Sequence, residues 1–373
     1  MPTIFNSIKL GQIELSNRLA VAPMTRSRAN ADGTPNALNA EYYGQRSNFG
    51  LIVAEGTQPS DEGQGYPNSP GVYTRSHVDG WRSIADSVHA GGGRIFVQLM
   101  HVGRVSHPLN TQHGTYPVAP SPVPLRELKM FTAEGMKEIP VARELSSSDI
   151  EETINDFVFA ARSAIDAGAD GVELHGANGY LLQQFLAPNT NTRTDGYGGS
   201  VENRQRFVIE VARRVAEEIG PERTGIRLSP GGEIGEIEEG DNYVDEYIQL
   251  AEKLSELSLV YIHIAFLRPT TDKDDQLLRR LREAYDGVVI VNRGGRPAEY
   301  IGQDVSTGLA DIESIGALAL ANPDLPRRLE MELPLNEPRK EFFYGGGREG
   351  YTDYPVYLPW VRLRMFRMYT SAA

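Results

Sequence analysis

The sequence predicts an α/β protein of the (β/α)8 barrel class. Eight short apolar runs recur along its 373 residues, and each is followed by a polar or glycine-rich corner and then by a segment of helical period. Near-continuous apolar strands that alternate with helices are typical of a parallel sheet covered on both faces. A barrel of this class needs about 250 residues and carries its functional site at the carboxyl ends of the strands.

The predicted strands have the lengths expected of buried parallel strands. They are LAVAPM (19–24), GLIVAE (50–55), RIFVQLM (94–100), DGVELH (170–175), TGIRLS (224–229), LVYIHIAF (259–266), GVVIVN (287–292) and DIESIGA (311–317). The main alternative is a doubly wound open sheet. That fold uses a GxGxxG sequence after its first strand, and this chain has none there.

Helical segments separate the strands, and two further segments lie outside the repeating pattern. The helices are predicted in NALNAEYYGQR, in DGWRSIADSVHA, after a capping box at Ser148 and Glu151, in NRQRFVIEVARRVAEEI and in YVDEYIQLAEKLSEL. The hairpin-like IKLGQIELSN before Leu19 is expected to plug the bottom of the barrel. Residues 102–145, after the third strand, are too long for an ordinary connection and are expected to form a lid over the site. We find no repeat or low-complexity linker, so residues 1–373 are expected to form a single domain.

Composition excludes several classes of function. The net charge of −13 argues against nucleic acid or an anionic membrane as the main partner. The chain has no cysteine, which excludes disulfides, thiolate catalysis and iron–sulfur clusters. The first residues lack the pattern of a signal peptide, and no apolar run approaches the roughly 20 residues of a membrane helix. We therefore expect a soluble, cytoplasmic protein, either a monomer or a homodimer.

Polar residues follow or interrupt the apolar runs where a barrel would gather them. Thr25 and Arg26 end the first strand, Gln98 and His101 belong to the third, His175, Asn178 and Tyr180 follow the fourth, and Arg227 lies in the fifth. The set contains no carboxylate pair for glycoside hydrolysis, no Ser–His–Asp order, no metal triad and no Schiff-base lysine near a strand end. Neutral donors with one arginine suit a planar cofactor with amide-like edges, but the spacing does not identify it.

Each of these residues also has a purely structural interpretation. A lone histidine such as His175 is more often a satisfied core residue than a functional one, and a tyrosine such as Tyr180 often packs with its hydroxyl at the rim. Gln98 and Arg227 are harder to explain in this way, because burying an amide or a guanidinium costs several kcal/mol unless it is paired. Two such residues on separate strands favour a shared polar ligand.

The sequence resembles the Old Yellow Enzyme family of FMN-dependent ene-reductases, close to the bacterial nitrate-ester and N-ethylmaleimide reductases. The resemblance lies in VAPMTRSRA, EGTQPSDEGQGYPNSPG, VQLMHVGRVSH, HGANGYLLQQFLAPNTNTRTDGYGGSVENRQRF, GIRLSP, ANPDLPRRL and YGGGREGYTDYP. These motifs lie in family order from one end of the chain to the other. The resemblance implies a barrel with FMN at its carboxyl-terminal mouth, and NADPH or NADH as reductant.

The resemblance also implies a role for individual residues. Thr25 would contact the flavin O4/N5 edge, Gln98 the pyrimidine edge, and Arg227 the N1/O2 region, where a cation stabilises the anionic reduced ring. By the same resemblance, Pro23 and Gly56 would also contact the cofactor. His175 and Asn178 would bind the carbonyl or nitro oxygen of the substrate, and Tyr180 would deliver a proton. Tyr66, Met100 and Tyr351 would line the substrate cavity.

The implied reaction is the reduction of an alkene conjugated to a carbonyl or nitro group. Hydride passes from nicotinamide to flavin N5 and then to the alkene β-carbon, and Tyr180 protonates the α-carbon. Nitrate esters and nitroaromatics are possible further substrates of the same flavin.

The match becomes poor over residues 231–317, which should hold the cofactor phosphate. Ala317 stands where the resemblance predicts a phosphate-binding arginine, and Glu313 is an unfavourable neighbour for a phosphate. The backbone amides of Gly294, Gly295 and Gly316 are expected to cup the phosphate. We also expect that Arg293 or Arg296 partly replaces the missing guanidinium, or else that both are solvated loop arginines.

Two alternative functions are considered, and the departures at Ala317, Glu313 and residues 231–317 motivate the first of them. A flavin-poor or flavin-free ligand-binding barrel would keep the pocket and lose most of the cofactor. The second is a flavin-free barrel lyase or aldolase, which has little support because this chain shows no catalytic lysine or carboxylate pair at the strand ends.

The tail over residues 356–373 is basic and aromatic in an acidic chain, and it is expected to form an oligomer contact or to lie on an acidic surface.

Overall fold

The eight predicted apolar runs form the eight strands of a closed parallel barrel. A computed structural model describes residues 2–357. In chain order the strands are β1 (Ile8–Leu10), β2 (Ile13–Leu15), β3 (Leu19–Val21), β4 (Leu51–Val53), β5 (Ile95–Leu99), β6 (Val118–Ala119), β7 (Lys129–Thr132), β8 (Gly135–Glu138), β9 (Arg143–Glu144), β10 (Gly171–Gly176), β11 (Thr224–Leu228), β12 (Tyr261–Phe266), β13 (Val288–Arg293) and β14 (Ile312–Ile315). The barrel contains β3, β4, β5 and β10 to β14 in chain order and closes between β14 and β3. The predicted barrel is confirmed, and the open-sheet alternative is wrong.

Helices cover the outside of the barrel between successive strands. They are α1 (Ala37–Gly44), α2 (Arg75–Ala90), α3 (Ser147–Asp166), α4 (Leu181–Leu186), α5 (Val201–Ile219), α6 (Tyr243–Glu256), α7 (Asp272–Ala284), α8 (Gln303–Thr307), α9 (Ala317–Ala321) and α10 (Leu325–Glu330). The long ones each bury one apolar stripe, as an amphipathic helix against a sheet must. Because all eight barrel strands are parallel, their carboxyl ends lie together at one mouth of the barrel.

The capping box of α3 lies two residues before its predicted position. Ser146 is the N-cap, because its Oγ accepts from the Asp149 amide at 3.2 Å and Asp149 accepts from the Ser146 amide at 2.8 Å. The residue before the cap, Leu145, and the fourth helical residue, Ile150, are both fully buried in one core cluster. These are the positions of a hydrophobic staple, which selects Ser146 among three consecutive serines.

The N-terminal hairpin plugs the bottom of the barrel, as predicted. Leu10 of β1 and Leu15 of β2 are fully buried and pack with barrel residues that include Leu51 and Phe96. Gly11 makes the turn with φ +56°, and a Cβ there would lie 2.4 Å from the carbonyl oxygen of Glu222. Only glycine fits this position, because both the backbone angle and the close approach exclude a side chain.

The segment after β5 is the predicted lid. It pairs β6 with β9 and forms the hairpin of β7 and β8. Met130 of β7 is buried against Met100, Val102 and Val105, and Tyr180 packs against the same cluster. The lid therefore covers one side of the barrel mouth.

The described part of the chain ends at Tyr357. Within residues 2–357 no helix is both long and apolar enough to cross a membrane. The basic and aromatic tail predicted over 356–373 lies outside the described residues, apart from its first two positions.

Candidate active site

A cavity of about 740 Å³ opens at the carboxyl ends of the barrel strands. Its size is that of a site for a cofactor or a drug-sized ligand. Most of the residues predicted from the sequence line it. They are Pro23, Thr25, Gln98, Met100, His175, Asn178, Tyr180, Arg227, Arg293, Gly294, Gly295, Arg296 and Gly316.

A buried polar network forms the floor of this cavity. Arg227 donates to the Asn292 side-chain oxygen at 2.9 Å and to a ring nitrogen of His263 at 2.7 Å. Glu173 accepts from His263 Nδ1 at 2.8 Å and from Gln98 Nε2 at 2.7 Å. Strand register explains this convergence, since Glu173 pairs with Gln98 and Arg227 pairs with His263 on neighbouring strands.

Three members of the network, Glu173, His263 and Asn292, were not predicted from the sequence. The sequence feature that could have identified them is the one that identified Gln98 and Arg227, a polar residue inside an apolar strand. Glu173 in GVELHG and His263 in YIHIAF both show it. They are paired partners inside the barrel and fix the orientation of the cavity residues.

Burial determines the protonation states in the network. It lowers the pKa of His263 to about 4, so the ring is neutral at pH 7 and donates its Nδ1 hydrogen to Glu173. Burial alone would raise the pKa of Glu173, but His263, Arg227 and Gln98 together lower it. Burial lowers the pKa of Arg227 to about 10, which leaves the guanidinium charged at pH 7. The floor of the cavity therefore presents one cation, Arg227, held by a carboxylate through a neutral histidine.

His175 and Asn178 present unused polar atoms to the cavity. Asn178 has φ +58°, and its backbone N–H donates to Ser229 Oγ at 2.9 Å. His175 Nε2 lies 3.5 Å from Asn178 Nδ2. His175 Nδ1 and Asn178 Oδ1 are buried and have no hydrogen-bond partner among the described residues. Burial lowers the pKa of His175 to about 3, so the ring is a neutral hydrogen-bond donor at physiological pH.

Tyr180 and Tyr66 form a hydroxyl pair beneath the lid. Their oxygens lie 2.9 Å apart, and either can be the donor. Burial raises the pKa of Tyr180 well above its ordinary value, and the neighbouring Tyr66 raises it further. Tyr180 therefore keeps its proton throughout the neutral range, next to the cavity that it lines.

Gly56 and His101 lie beside the cavity and do not line it. A Cβ at Gly56 would lie 2.4 Å from Met100 Sδ, so glycine there makes room for Met100, which does line the cavity. The prediction that Gly56 binds the cofactor is replaced by this supporting role. His101 is 1% exposed and accepts from the Gly103 amide at 3.1 Å, and its ring centroid lies 6.5 Å from that of Phe157 in α3.

His101 contributes to a loss of stability in acid. Burial lowers its pKa to about 3 in the folded protein, against an ordinary value of 6.5. Below pH 6.5 the unfolded chain binds a proton that folded His101 does not, so the free energy of unfolding falls as pH falls. His101→Asn should remove about 1.4 kcal/mol per pH unit of this dependence between pH 6 and pH 4. Urea unfolding of the wild type and of His101→Asn at several pH values measures this dependence. If the free energy of unfolding falls equally with pH in both proteins, His101 is not buried in its neutral form.

The prediction that Tyr351 lines the substrate cavity is wrong. Tyr351 is fully buried behind the wall, where its ring stacks on Tyr42 with centroids 4.1 Å apart and an angle of 7°. The guanidinium groups of Arg26 and Arg28 lie over the same ring at 5.0 and 4.6 Å, and its hydroxyl accepts from Asn39 at 3.0 Å. Tyr351 therefore anchors the C-terminal segment to α1.

Replacing Tyr351 tests this structural role. Tyr351→Ala should lower the free energy of unfolding by about 3–5 kcal/mol, because it leaves a large void in a packed cluster. Tyr351→Phe keeps the stacked ring and should cost about 1 kcal/mol, the value of one hydrogen bond. In the folded fraction of both variants the substrate KM should stay within about twofold of wild type. A large KM change in Tyr351→Phe with unchanged stability would restore the cavity role.

The far end of the cavity lies at the loops after β13 and β14. Arg293 and Arg296 line it, and both donate to Asp304. The Arg293 side chain is only 8% exposed, so this arginine is not a solvated loop residue. The Gly294 amide donates to the Phe266 carbonyl at 2.7 Å, which excludes it as a phosphate donor. Glu313 turns its carboxylate onto the backbone amides of residues 302, 304 and 305.

The strand-end half of the cavity fits the ring of the predicted flavin. Arg227 Nε is buried without a hydrogen-bond partner among residues 2–357, and it lies in the same wall as the unused atoms of His175 and Asn178. A planar ligand with carbonyl and N–H edges satisfies such atoms, which otherwise cost about 1–3 kcal/mol each. Thr25 and Gln98 complete the polar part of that wall.

Comparisons with known proteins agree with this geometry. The family model described as "NADH:flavin oxidoreductase / NADH oxidase family" matches residues 3–336. The 12-oxophytodienoate reductase 2 of Arabidopsis thaliana is 40% identical over 356 residues, covering 93% of this chain and 94% of that protein. The structure of morphinone reductase in complex with tetrahydroNAD is 40% identical with a TM-score of 0.90, covering 96% of this chain and 98% of the other.

A further solved structure carries the name of the predicted family. The Old Yellow Enzyme homologue from Zymomonas mobilis is 37% identical with a TM-score of 0.90, and the match covers 95% of this chain and 100% of that chain. The predicted resemblance and the predicted FMN cofactor are thereby confirmed. The comparisons do not support the flavin-free alternatives.

Proposed function

Because the chain belongs to the NADH:flavin oxidoreductase / NADH oxidase family of FMN-dependent oxidoreductases, we propose that it reduces alkenes conjugated to a carbonyl or nitro group. NADH or NADPH would be the reductant. The observation that carries the proposal is the convergence of His175, Asn178 and Tyr180 on one wall of the cavity above the Arg227 network. This set combines two hydrogen-bond donors for an oxygen with one proton donor, which conjugate reduction requires.

The chain's own residues would hold the cofactor at the strand ends. Arg227 and Gln98 would bind the pyrimidine part of the ring, with Thr25 and Pro23 along its other edge. When bound, the flavin supplies the hydride from N5 to the alkene β-carbon, having received it from the nicotinamide. The positive charge of Arg227 favours electron-rich states of the ligand above it.

His175 and Asn178 would bind the activating oxygen of the substrate. His175 is neutral because of its burial, so it donates a hydrogen bond without transferring a proton. Two donors on one oxygen stabilise the negative charge that grows there as the β-carbon is reduced. The same pair can bind a nitro oxygen, which is why nitroaromatics and nitrate esters remain candidate substrates.

Tyr180 would then donate its Oη proton to the α-carbon. The raised pKa of Tyr180 keeps that proton available at neutral pH. The 2.9 Å contact with Tyr66 orients the hydroxyl and offers it a partner after the transfer. The lid residues around both tyrosines exclude water from this side of the cavity.

The substrate body would be largely apolar. A second cavity of about 340 Å³ shares Asn178 and Leu267 with the first one and is also lined by Ile234, Ala265 and Phe266, among others. An apolar ring or chain attached to the enone fits these walls, because its burial is favourable by about 25 cal/mol per Å².

Anaerobic turnover tests this proposed function. The purified protein is mixed with NADPH or NADH and a small cyclic enone, and the product is identified by chromatography. We expect saturated ketone in equal amount to the nicotinamide oxidised. Nicotinamide oxidation without saturated product, by protein that contains flavin, would contradict the proposal.

A further inference from the structure

One end of the main cavity lies where barrel proteins hold a ligand phosphate, at the loops after the seventh and eighth strands. Here those strands are β13 and β14, and the cavity wall includes residues 293–298 and 313–318. With the flavin ring at the Arg227 end, the 5′-phosphate of FMN would be placed at this other end. The charges and donors found there decide how strongly the phosphate contributes to binding.

Both arginines at this end are already paired with carboxylates. Arg293 donates through Nε and Nη2 to the two oxygens of Asp304, at 2.8 and 3.0 Å, and through Nη2 to Asp275 at 2.6 Å. Arg296 donates through Nη1 to Asp304 at 2.5 Å and through Nη2 to Gln303 at 2.8 Å. Asp304 therefore occupies the bidentate face of Arg293 and one terminal nitrogen of Arg296, so neither arginine is a free cation.

Four backbone donors at this end are occupied by the chain itself, whereas the neutral amides of Gly295 and Gly316 have no partner among residues 2–357. Glu313 accepts from the amides of Gly302 and Asp304 at 2.8 Å each and from Val305 at 3.3 Å. The Gly294 amide belongs to the strand ladder with Phe266. The Glu313 carboxylate thus occupies the amides of residues 302, 304 and 305, which are then not available to a bound anion.

The charged side chains at this end of the cavity carry no net positive charge. Arg293 and Arg296 contribute two positive charges, while Asp275, Asp304 and ionised Glu313 contribute three negative ones, so the sum is −1. Protonation of Glu313 would bring the sum only to zero. At the rim, Lys340 and Glu337 line the same cavity, both are exposed, and their charges are opposite.

We infer that the cavity binds flavins through the ring and ribityl portions and discriminates little for the 5′-phosphate, so that riboflavin competes with FMN. The inference rests on the proposed function only in placing a flavin in this cavity. A buried guanidinium that gripped the phosphate would make selectivity large, because charge-assisted bidentate pairs are the strong ones. Among residues 2–357, both arginines at this end of the cavity, Arg293 and Arg296, are already paired with carboxylates.

Competitive exchange on the holoenzyme tests the inference. The protein is dialysed to equilibrium against equal concentrations of FMN and riboflavin, starting from either loaded form, and the bound flavins are extracted and separated. We expect an FMN to riboflavin ratio below tenfold, which corresponds to less than about 1.4 kcal/mol of phosphate contribution. A ratio of tenfold or more, or the absence of any bound flavin, overturns the inference.

A substitution at Ala317 supplies the matched test. Ala317 is exposed and lies in the cavity wall at the start of α9, so a longer side chain fits there without disturbing the core. Ala317→Arg should raise the FMN to riboflavin ratio at least tenfold over wild type, and Ala317→Gln, which adds length without charge, should not. An unchanged ratio in Ala317→Arg, or an equal rise in both variants, overturns the inference.

The exchange experiment is independent of turnover. If flavin binds without phosphate selectivity but the loaded protein does not reduce an enone, the proposed function fails and the inference stands. If the loaded protein reduces the enone and the ratio exceeds tenfold, the proposed function stands and the inference fails.

Discussion

Tyr180→Phe is expected to slow the reduction of an activated alkene by about 10²–10⁴-fold, the usual contribution of a positioned general acid. The change removes only the hydroxyl and leaves the ring in the lid cluster with Met100 and Met130. It should therefore affect protonation of the α-carbon and spare the oxidation of nicotinamide. Rapid-mixing measurements of the two half-reactions separate these effects.

A matched control comes from the partner hydroxyl. Tyr66→Phe removes the group that lies 2.9 Å from the Tyr180 oxygen but keeps the Tyr180 proton. Its effect should be much smaller, about tenfold or less, because it changes only the orientation of the acid. Equal losses in the two variants would show that Tyr180 is not the specific donor. A loss of nicotinamide oxidation in Tyr180→Phe would point to a damaged cavity.

Removing the substrate oxygen's donors should have the second largest effect. His175→Leu and Asn178→Gly are each expected to lower kcat/KM for an enone by about 10²–10³-fold, as loss of one donor to a developing oxyanion does. Glycine is the suitable replacement at residue 178, because the backbone there has φ +58° and other residues would be strained.

The double variant tests whether both side chains act on one oxygen. Residues that act as a unit are strongly non-additive, so the double variant should lose much less than the product of the two single losses. Flavin absorbance of each purified variant controls for the integrity of the cavity. Independent losses that multiply would mean that His175 and Asn178 contact different parts of the substrate.

All eight barrel strands could be predicted from the sequence, whereas the helices and the site could be predicted only in part, since α7 was not among the predicted helices. Each of the eight strands is an apolar run of several residues, and their alternation with helices leaves few possible folds. Gln98 and Arg227 were identified because they interrupt such runs. Glu173 and His263 interrupt theirs equally, but their role depends on strand register, which a single strand does not reveal.

The errors arose where side-chain direction or hydrogen-bond pairing decides the role. Tyr351 lies in a motif close to the cavity, yet it turns towards Tyr42 and two arginines behind the wall. Gly294 has the residue type of a phosphate loop, but its amide is used by the strand ladder. Arg293 and Arg296 are cations in the expected place, and only the structure shows that Asp304 pairs with both.

Isotope placement in the product tests the proposed reaction most directly. The enzyme is supplied with nicotinamide carrying deuterium at the transferable position in ordinary water, and separately with unlabelled nicotinamide in deuterium oxide. The proposal predicts deuterium on the β-carbon of the reduced enone in the first experiment and on the α-carbon in the second. Label at the α-carbon from the nicotinamide, or at the β-carbon from the solvent, would contradict hydride delivery with protonation by Tyr180.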